Sequence, residues 1–189
     1  VLTGALPIGD DAFVRPLVPA DGGAVLALIE ESRAHLDKWL RWSARVRTPG
    51  DVTAMISRFE AKQSAGDGFH WGIWQQDTLA GGVICHYINR NDLNAELGYW
   101  LGEGHTGKGL ATRATACAVE HLLRVEKLHR VEMICGVANT RSLAVAERLG
   151  FTNEGVRRES YWITDRYADH VVYGLLDREW RREPAGADL

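Results

Sequence analysis

The run Asn94-Ala-Glu-Leu-Gly-Tyr-Trp-Leu-Gly-Glu-Gly-His-Thr-Gly-Lys-Gly-Leu-Ala-Thr-Arg-Ala-Thr-Ala-Cys-Ala118 decides the fold. It opens as an apolar, strand-like segment, Glu96 to Leu101. A glycine-dense turn follows, Gly102 to Gly109. It continues as a helix-like run in which Leu110, Ala114, Cys117, His121, Leu122 and Val125 recur at helical spacing. Strand, glycine-rich turn and helix aim backbone N–H groups and a helix N-terminus at one point, which favours an anion, most often a phosphate. Side chains would block a close approach of main chain to ligand, and glycine also tolerates φ > 0.

The turn fits three phosphate-binding patterns. Gly102-x-Gly104-x-x-Gly107 fits the dinucleotide fingerprint. That motif asks for a carboxylate about 20 residues further on, at the end of the next strand. The next strand-like run ends Met133-Ile134-Cys135-Gly136 and has no acid there. Gly102-x4-Gly107-Lys108 nearly fits the nucleotide-triphosphate loop, but Gly109 stands where a Ser or Thr must hold Mg²⁺. The third pattern draws on more of the chain. Thr106-Gly-Lys-Gly-Leu-Ala111 resembles the pyrophosphate loop of the GCN5-related N-acetyltransferases (GNAT), Gln/Arg-x-x-Gly-x-Gly/Ala. Asn139-Thr-Arg-Ser142, followed by Leu149-Gly150-Phe151, resembles that family's second signature. The spacing and the order of elements also resemble the family, over roughly residues 12–180. His35 to Trp42 and Glu96 to Leu101 look like its RimJ/RimL branch, the ribosomal-protein-alanine N-acetyltransferases. One departure is that Thr106 replaces the Gln or Arg. The loop acts mainly through backbone donors, so this change bears on affinity more than on identity.

The 189 residues suit one domain, with a core over about 12–180 and short loose termini. A formal charge of −3 argues against a nucleic-acid binder that relies on a basic face. No apolar run approaches the ~18 residues needed to span a bilayer, so no membrane partner is expected. The N-terminus lacks the charged and apolar pattern of a signal peptide. Cys85, Cys117 and Cys135 sit in apolar runs, an odd number without Cys-x-x-Cys, which suits core packing in a reducing cytoplasm.

In chain order, residues before Asp11 read as a loose lead-in and Ala12 to Leu17 as a first strand, with Pro16 suited to an edge. Asp21 is placed to cap a helix burying Val25, Leu28 and Ile29. A second short helix holds Leu36, Trp39 and Leu40. Thr48-Pro-Gly-Asp51 starts a helix that buries Met55, Ile56 and Phe59 and ends at Gly66-Asp-Gly68. Phe69 to Gln75 and Leu79 to Ile88 form a hairpin around Gln76-Asp77. Arg130 to Val137 must run parallel to Glu96–Leu101, because a helix crosses over between them. Asn139 caps a short helix ending at Gly150. Phe151 to Gly155 and Val171 to Leu176 are the last strands, and Glu179 onward frays. Antiparallel strands followed by one crossover make the class α+β, with helices on both faces.

The resemblance implies acetyl-coenzyme A as acetyl donor and no metal. It implies a splayed parallel strand pair that takes the pantetheine arm, with a bulge expected at Gly98. The cofactor site it implies comprises Tyr99, Trp100, Leu101, Thr106, Gly107, Lys108, Gly109, Leu110, Ala111, Thr112, Asn139 and Ser142. N–H groups near Tyr99 to Leu101 would hold the developing oxyanion. An α-amine (pKa about 7.7–8.0) must lose a proton before attack. Glu96, a carboxylate among apolar strand residues, is the first candidate base. It also reads as a solvent-facing charge. His86 and His105 are weaker candidates. Many relatives have a tyrosine where this chain has Ala146. The branch implies Ser142 as the thiolate's proton donor, although a first-turn capping role also fits. Acceptor choice falls to the early helices and the late hairpin, with Trp39, Trp42, Trp71, Trp74 and Trp162 as aromatic surface. The acceptor that the branch resemblance implies is a protein N-terminal amine of the ribosomal type. Polyamines, antibiotics or amino-acid derivatives are the small-molecule alternatives. A non-catalytic acyl-CoA-binding module is the other-class alternative, and a homodimer is expected from the family.

Overall fold

The structure, a computed structural model, describes residues 4–163 and 165–180. Its centre is an eight-stranded sheet in the order β1-β2-β3-β4-β5-β6-β8-β7. The strands are β1 (Leu6–Pro7), β2 (Ala12–Pro16), β3 (Phe69–Gln75), β4 (Thr78–Asn89), β5 (Asn94–Leu101), β6 (Arg130–Gly136), β7 (Thr152–Ile163) and β8 (Arg166–Leu176). Every neighbouring pair is antiparallel except β5 with β6. That pair is joined by α4 (Leu110–Glu120), the crossover that parallel strands require. The remaining helices are α1 (Gly22–Glu31), α2 (Arg33–Leu36), α3 (Pro49–Ala65) and α5 (Thr140–Arg148).

The sheet is covered on both faces. One core holds Leu110, Ala114 and Leu122 from α4 and its extension, Val145 and Ala146 from α5, and Ala95, Leu97, Val131, Met133 and Tyr173 from the strands. The other holds Val25 and Ile29 of α1, Ile56 and Phe59 of α3, and Trp74, Ile84 and Trp100 of the sheet. Side chains of a strand alternate between faces. Ala95, Leu97 and Leu101 therefore look toward α4, while Glu96, Gly98 and Trp100 look toward α1 and α3.

The helix starts follow local chemistry. Thr48 Oγ1 accepts from Asp51 N at 3.2 Å, and the Asp51 carboxylate accepts from Thr48 N at 2.8 Å, a reciprocal cap with Pro49 in the first turn. Gly66 ends that helix at φ 73°. Asp21 does not act as the expected cap. Its carboxylate is held by Arg15 in a two-bond pair at 2.7 and 2.8 Å and accepts from Val18 N, so it ties β2 to the entry of α1.

Other elements depart from the sequence reading. Leu6–Pro7, expected to be a loose lead-in, pairs with Phe13 and Val14. The second short helix is confined to α2, leaving Trp39 and Leu40 in the turns after it. The helix through α4 widens into a π turn at His121–Val125, where Glu126 N donates to His121 O. The wider turn rotates Val125 off the apolar face, and it is 64% exposed. The last two strands are much longer than expected and form a protruding hairpin. Fraying was expected from Glu179 onward, but Glu179 accepts from Leu176 N at 2.9 Å and Trp180 is held by its indole N–H on Glu120 at 2.6 Å. The rest of that expectation, over 181–189, lies outside the described residues.

Thr48→Ala removes one half of the reciprocal cap. It is expected to lower stability by about 0.5–2 kcal/mol, read as a lower denaturant midpoint with an unchanged slope.

Candidate active site

β5 and β6 pair only from Asn94–Arg130 to Leu97–Met133. Beyond that, β5 stays on β4, with Gly98 to Leu101 opposite Ile84 to Gly81, and β6 stays on β8, with Ile134 to Gly136 opposite Val172 to His170. The two strands part, and each keeps its conformation through its other neighbour. Gly102 N donates to Ala80 O at 2.9 Å on β4. By the two-residue alternation Gly98 and Trp100 also turn their peptide groups to β4, whereas Tyr99 and Leu101 turn theirs into the gap. Of the expected donors on this strand, Trp100 is therefore corrected: its N–H belongs to the β4 ladder and its indole to the α1–α3 core.

The bulge lies across the ladder from its expected place. Cys85 pairs with Leu97 and Tyr87 with Glu96, so the extra residue is His86 on β4, not Gly98. Gly98 accommodates it. A Cβ there would stand 2.9 Å from His86 Nε2. The bulge thus delivers an imidazole to the face that carries Glu96, at the point where β5 leaves β6.

The glycine turn lies at the C-terminal end of β5. Gly107 and Gly109 sit at φ 78° and 72°, and a Cβ at Gly107 would meet nothing within 4 Å. Among the described residues, no hydrogen bond uses the N–H groups of Gly107, Lys108, Gly109, Leu110, Ala111 or Thr112, and Arg113 N is the first to bond back, to Gly109 O. These donors ring the start of α4, the arrangement an anion requires. Thr106 is corrected. Its N–H and its hydroxyl both donate to Glu103 O, at 3.3 and 3.0 Å, so it braces the turn instead of offering a donor. Leu110 and Ala111 bury their side chains and leave only backbone. Ser32, unnoticed in the sequence, is 2% exposed and accepts from Glu103 N at 3.0 Å, which anchors the turn to the end of α1. The unpaired strand edges and the cluster of unbonded N–H groups fit an extended diphosphate ligand.

The chain matches the acetyltransferase (GNAT) domain family over residues 12–152. It is 29% identical over 177 residues to the putative ribosomal N-acetyltransferase YdaF of Bacillus subtilis, covering 93% of this chain and 97% of that one. It is 30% identical over 142 residues to the ribosomal protein uS5-alanine N-acetyltransferase of Escherichia coli, covering 74% and 68%. A solved structure of RimL, a ribosomal L7/L12 alpha-N-protein acetyltransferase in complex with coenzyme A, shares the fold at TM-score 0.89 and 24% identity, covering 92% of this chain and 98% of that one.

The chain belongs to the GNAT family. Within it, the relatives place the chain in the RimJ/RimL-like branch, and its acetyl donor is acetyl-coenzyme A. The candidate site residues divide between the two faces of the sheet. On the α4–α5 face, Asn139 Oδ1 accepts from Ser142 N at 3.2 Å, the expected cap of α5, and the Asn139 side-chain NH₂ makes no bond among the described residues. Ser142 Oγ lies 3.4 Å from Cys135 Sγ and faces Tyr99. Burial pushes the Tyr99 phenol up, and Ser142 opposes the shift. Ala146, where a tyrosine was considered, is fully buried in the core.

Glu96 is on the opposite face, half-buried. Burial first, then the neighbouring Glu132 carboxylate, raises its pKa above the usual carboxylate value, while Arg157 works the other way. Around this face, Trp42 stands edge-on to Trp100 at 5.5 Å, Arg41 lies 4.9 Å over Tyr161, and Tyr161 meets His170 at 4.9 Å. The segment after α2 and the β7–β8 hairpin therefore meet over the Glu96 face. Trp71 and Trp74 belong to the two cores, whereas Trp162 is exposed against Tyr167. His105, by the glycine turn, is away from this group. Among the described residues, no group of three or more His, Cys, Asp or Glu is placed to hold a metal ion.

Gly107→Ala forces a Cβ onto a left-handed backbone without a clash. The turn of the free variant relaxes from the left-handed geometry and must recover it on binding, so acetyl-CoA is expected to bind roughly tenfold more weakly, the equivalent of the ~1–2 kcal/mol left-handed penalty. Isothermal titration calorimetry, with the melting temperature as a control for folding, reads this directly.

Proposed function

We propose that this GNAT enzyme acetylates the N-terminal α-amine of a protein of the ribosomal type, by direct attack in a ternary complex with acetyl-CoA. The observation that carries the proposal is the placement of Glu96. It sits on the strand that borders the gap, facing the acceptor mouth, while the phosphate turn and Ser142 serve the gap from the other side. Donor and acceptor then approach through opposite faces and meet where β5 and β6 part.

The roles follow from this geometry. The N–H groups of Gly107 to Thr112 hold the diphosphate. Tyr99 and Leu101 pair with the extended arm, and Asn139 adds a side-chain donor. Acetyl-CoA supplies an activated thioester. Glu96 takes the proton from the acceptor ammonium, directly or through one water. The freed nitrogen pair forms the new C–N bond, the C–S bond breaks, and the second proton that the nitrogen sheds goes to the thiolate, with Ser142 hydrogen-bonding the sulfur. His86 presents its imidazole on this face, across from Gly98. The catalytic unit comprises residues 12–180, and the enzyme works as a cytoplasmic homodimer without direct contact to nucleic acid or membrane. No described helix is long and apolar enough to cross a membrane.

The test is thiol release from acetyl-CoA with N-terminal peptides of ribosomal proteins, compared with polyamines and other small amines. Peptide-dependent turnover supports the reading. Turnover with small amines alone moves the acceptor to that class, and binding without turnover makes the protein an acyl-CoA-binding module. Glu96→Gln is expected to lower kcat/KM by roughly 10²–10⁴-fold, with acetyl-CoA affinity unchanged. The acid limb of the wild-type pH profile is expected above the ordinary carboxylate range, because the ionised base is lost as pH falls through a raised pKa.

A further inference from the structure

β6 carries a charge arrangement that the proposed roles do not use. Glu132 is the register partner of Glu96 in the parallel pair, so the two carboxylates stand side by side on one face. Like charges in that position repel. A cation is at hand, but it is committed to the far side of Glu132. Arg130 Nε donates to Glu132 Oε1 at 2.9 Å. Its terminal nitrogens bind both oxygens of Glu154 on β7, one of them at 2.7 Å. Gly174, opposite Glu132 on β8, leaves room for this. A Cβ there would stand 2.6 Å from the guanidinium. Glu96 itself accepts no hydrogen bond among the described residues. The titratable and charged groups around it are Tyr87 opposite it on β4, Glu132 on β6 and Arg157 on β7, with the His86 imidazole presented on the same face by the β4 bulge and Cys85 further along β4. Glu96 is thus left beside a fixed negative charge that another residue holds in place.

We propose that Glu132, clamped by Arg130, is a positioning residue for acetyl transfer, whose fixed charge keeps the Glu96 carboxylate basic enough to take the acceptor's proton. The proposal rests on Glu96 being the base. The clamp also explains why the cation does not quench that base. Arg130 is shared between Glu132 and Glu154, and both of its ends are engaged away from Glu96.

The experiment is the pH dependence of kcat/KM in Glu132→Gln, which keeps the side-chain size and an oxygen for Arg130. Its acid limb is expected to move to lower pH by at least about half a unit, with acetyl-CoA affinity and melting temperature close to wild type. NMR titration of the Glu96 carboxylate in both proteins reads the same shift without turnover. Should Glu132→Gln fail to fold, Arg130→Gln provides the opposite sign, because it removes the cation and frees Glu132. Its acid limb must move to higher pH. An acid limb that stays in place, in a folded variant and with Glu96→Gln inactive, overturns the proposal and leaves the base reading standing. Full activity in Glu96→Gln overturns both.

Discussion

The structure depends on where one ladder stops. β5 and β6 are hydrogen-bonded neighbours up to Leu97 and Met133, and then they are not. Unpaired strand edges are ordinarily a liability. Here they are tolerable because each strand is secured on its other side, β5 by β4 and β6 by β8. The two cores hold the halves apart from above and below. The opening is therefore a rigid consequence of topology and packing.

Electrostatics sort along the same division. The α4–α5 face offers neutral donors, namely backbone N–H groups, Ser142 and Asn139, suited to a diphosphate and a pantetheine chain. The opposite face carries the ionisable groups. Even there, the deep positions are kept neutral. His70, 3% exposed, accepts from Trp100 Nε1 at 3.1 Å, and burial pushes its pKa down to about 3. In the core on the α4–α5 side, burial raises the Cys85 thiol to about 12 and the Cys117 thiol to about 11, so neither is a thiolate near neutral pH. Glu96, with its raised pKa, stands at the mouth of the gap.

Much of this was legible in the sequence. The strand, turn and helix around Asn94 to Ala118 carry their own periodicities, and Thr48 to Asp51, Gln76-Asp77 and Asn139 carry their own local chemistry. The misses have physical causes. Thr152–Ile163 is exposed along most of its length and polar or charged through much of it, so it lacks the apolar alternation that marks a strand. The bulge was assigned to Gly98 because glycine often marks one, yet Gly98 is the partner that yields space to His86. Periodicity could not show the π turn that expels Val125. Trp100 and Thr106 were included with their neighbours, whereas the direction of each peptide group depends on strand register and turn bonding. Glu132 left a trace in the alternation of Arg130-Val-Glu-Met, but its register with Glu96 is a tertiary fact.

The central claim is that the acetyl donor lies in the gap as a substitute strand. Amide hydrogen exchange with and without acetyl-CoA tests it at single residues. The account predicts new protection at Tyr99 and Leu101 and across Gly107 to Thr112, with Trp100 unchanged because its N–H already belongs to β4. Protection confined to the glycine turn, with Tyr99 and Leu101 exchanging as in the free protein, would contradict it.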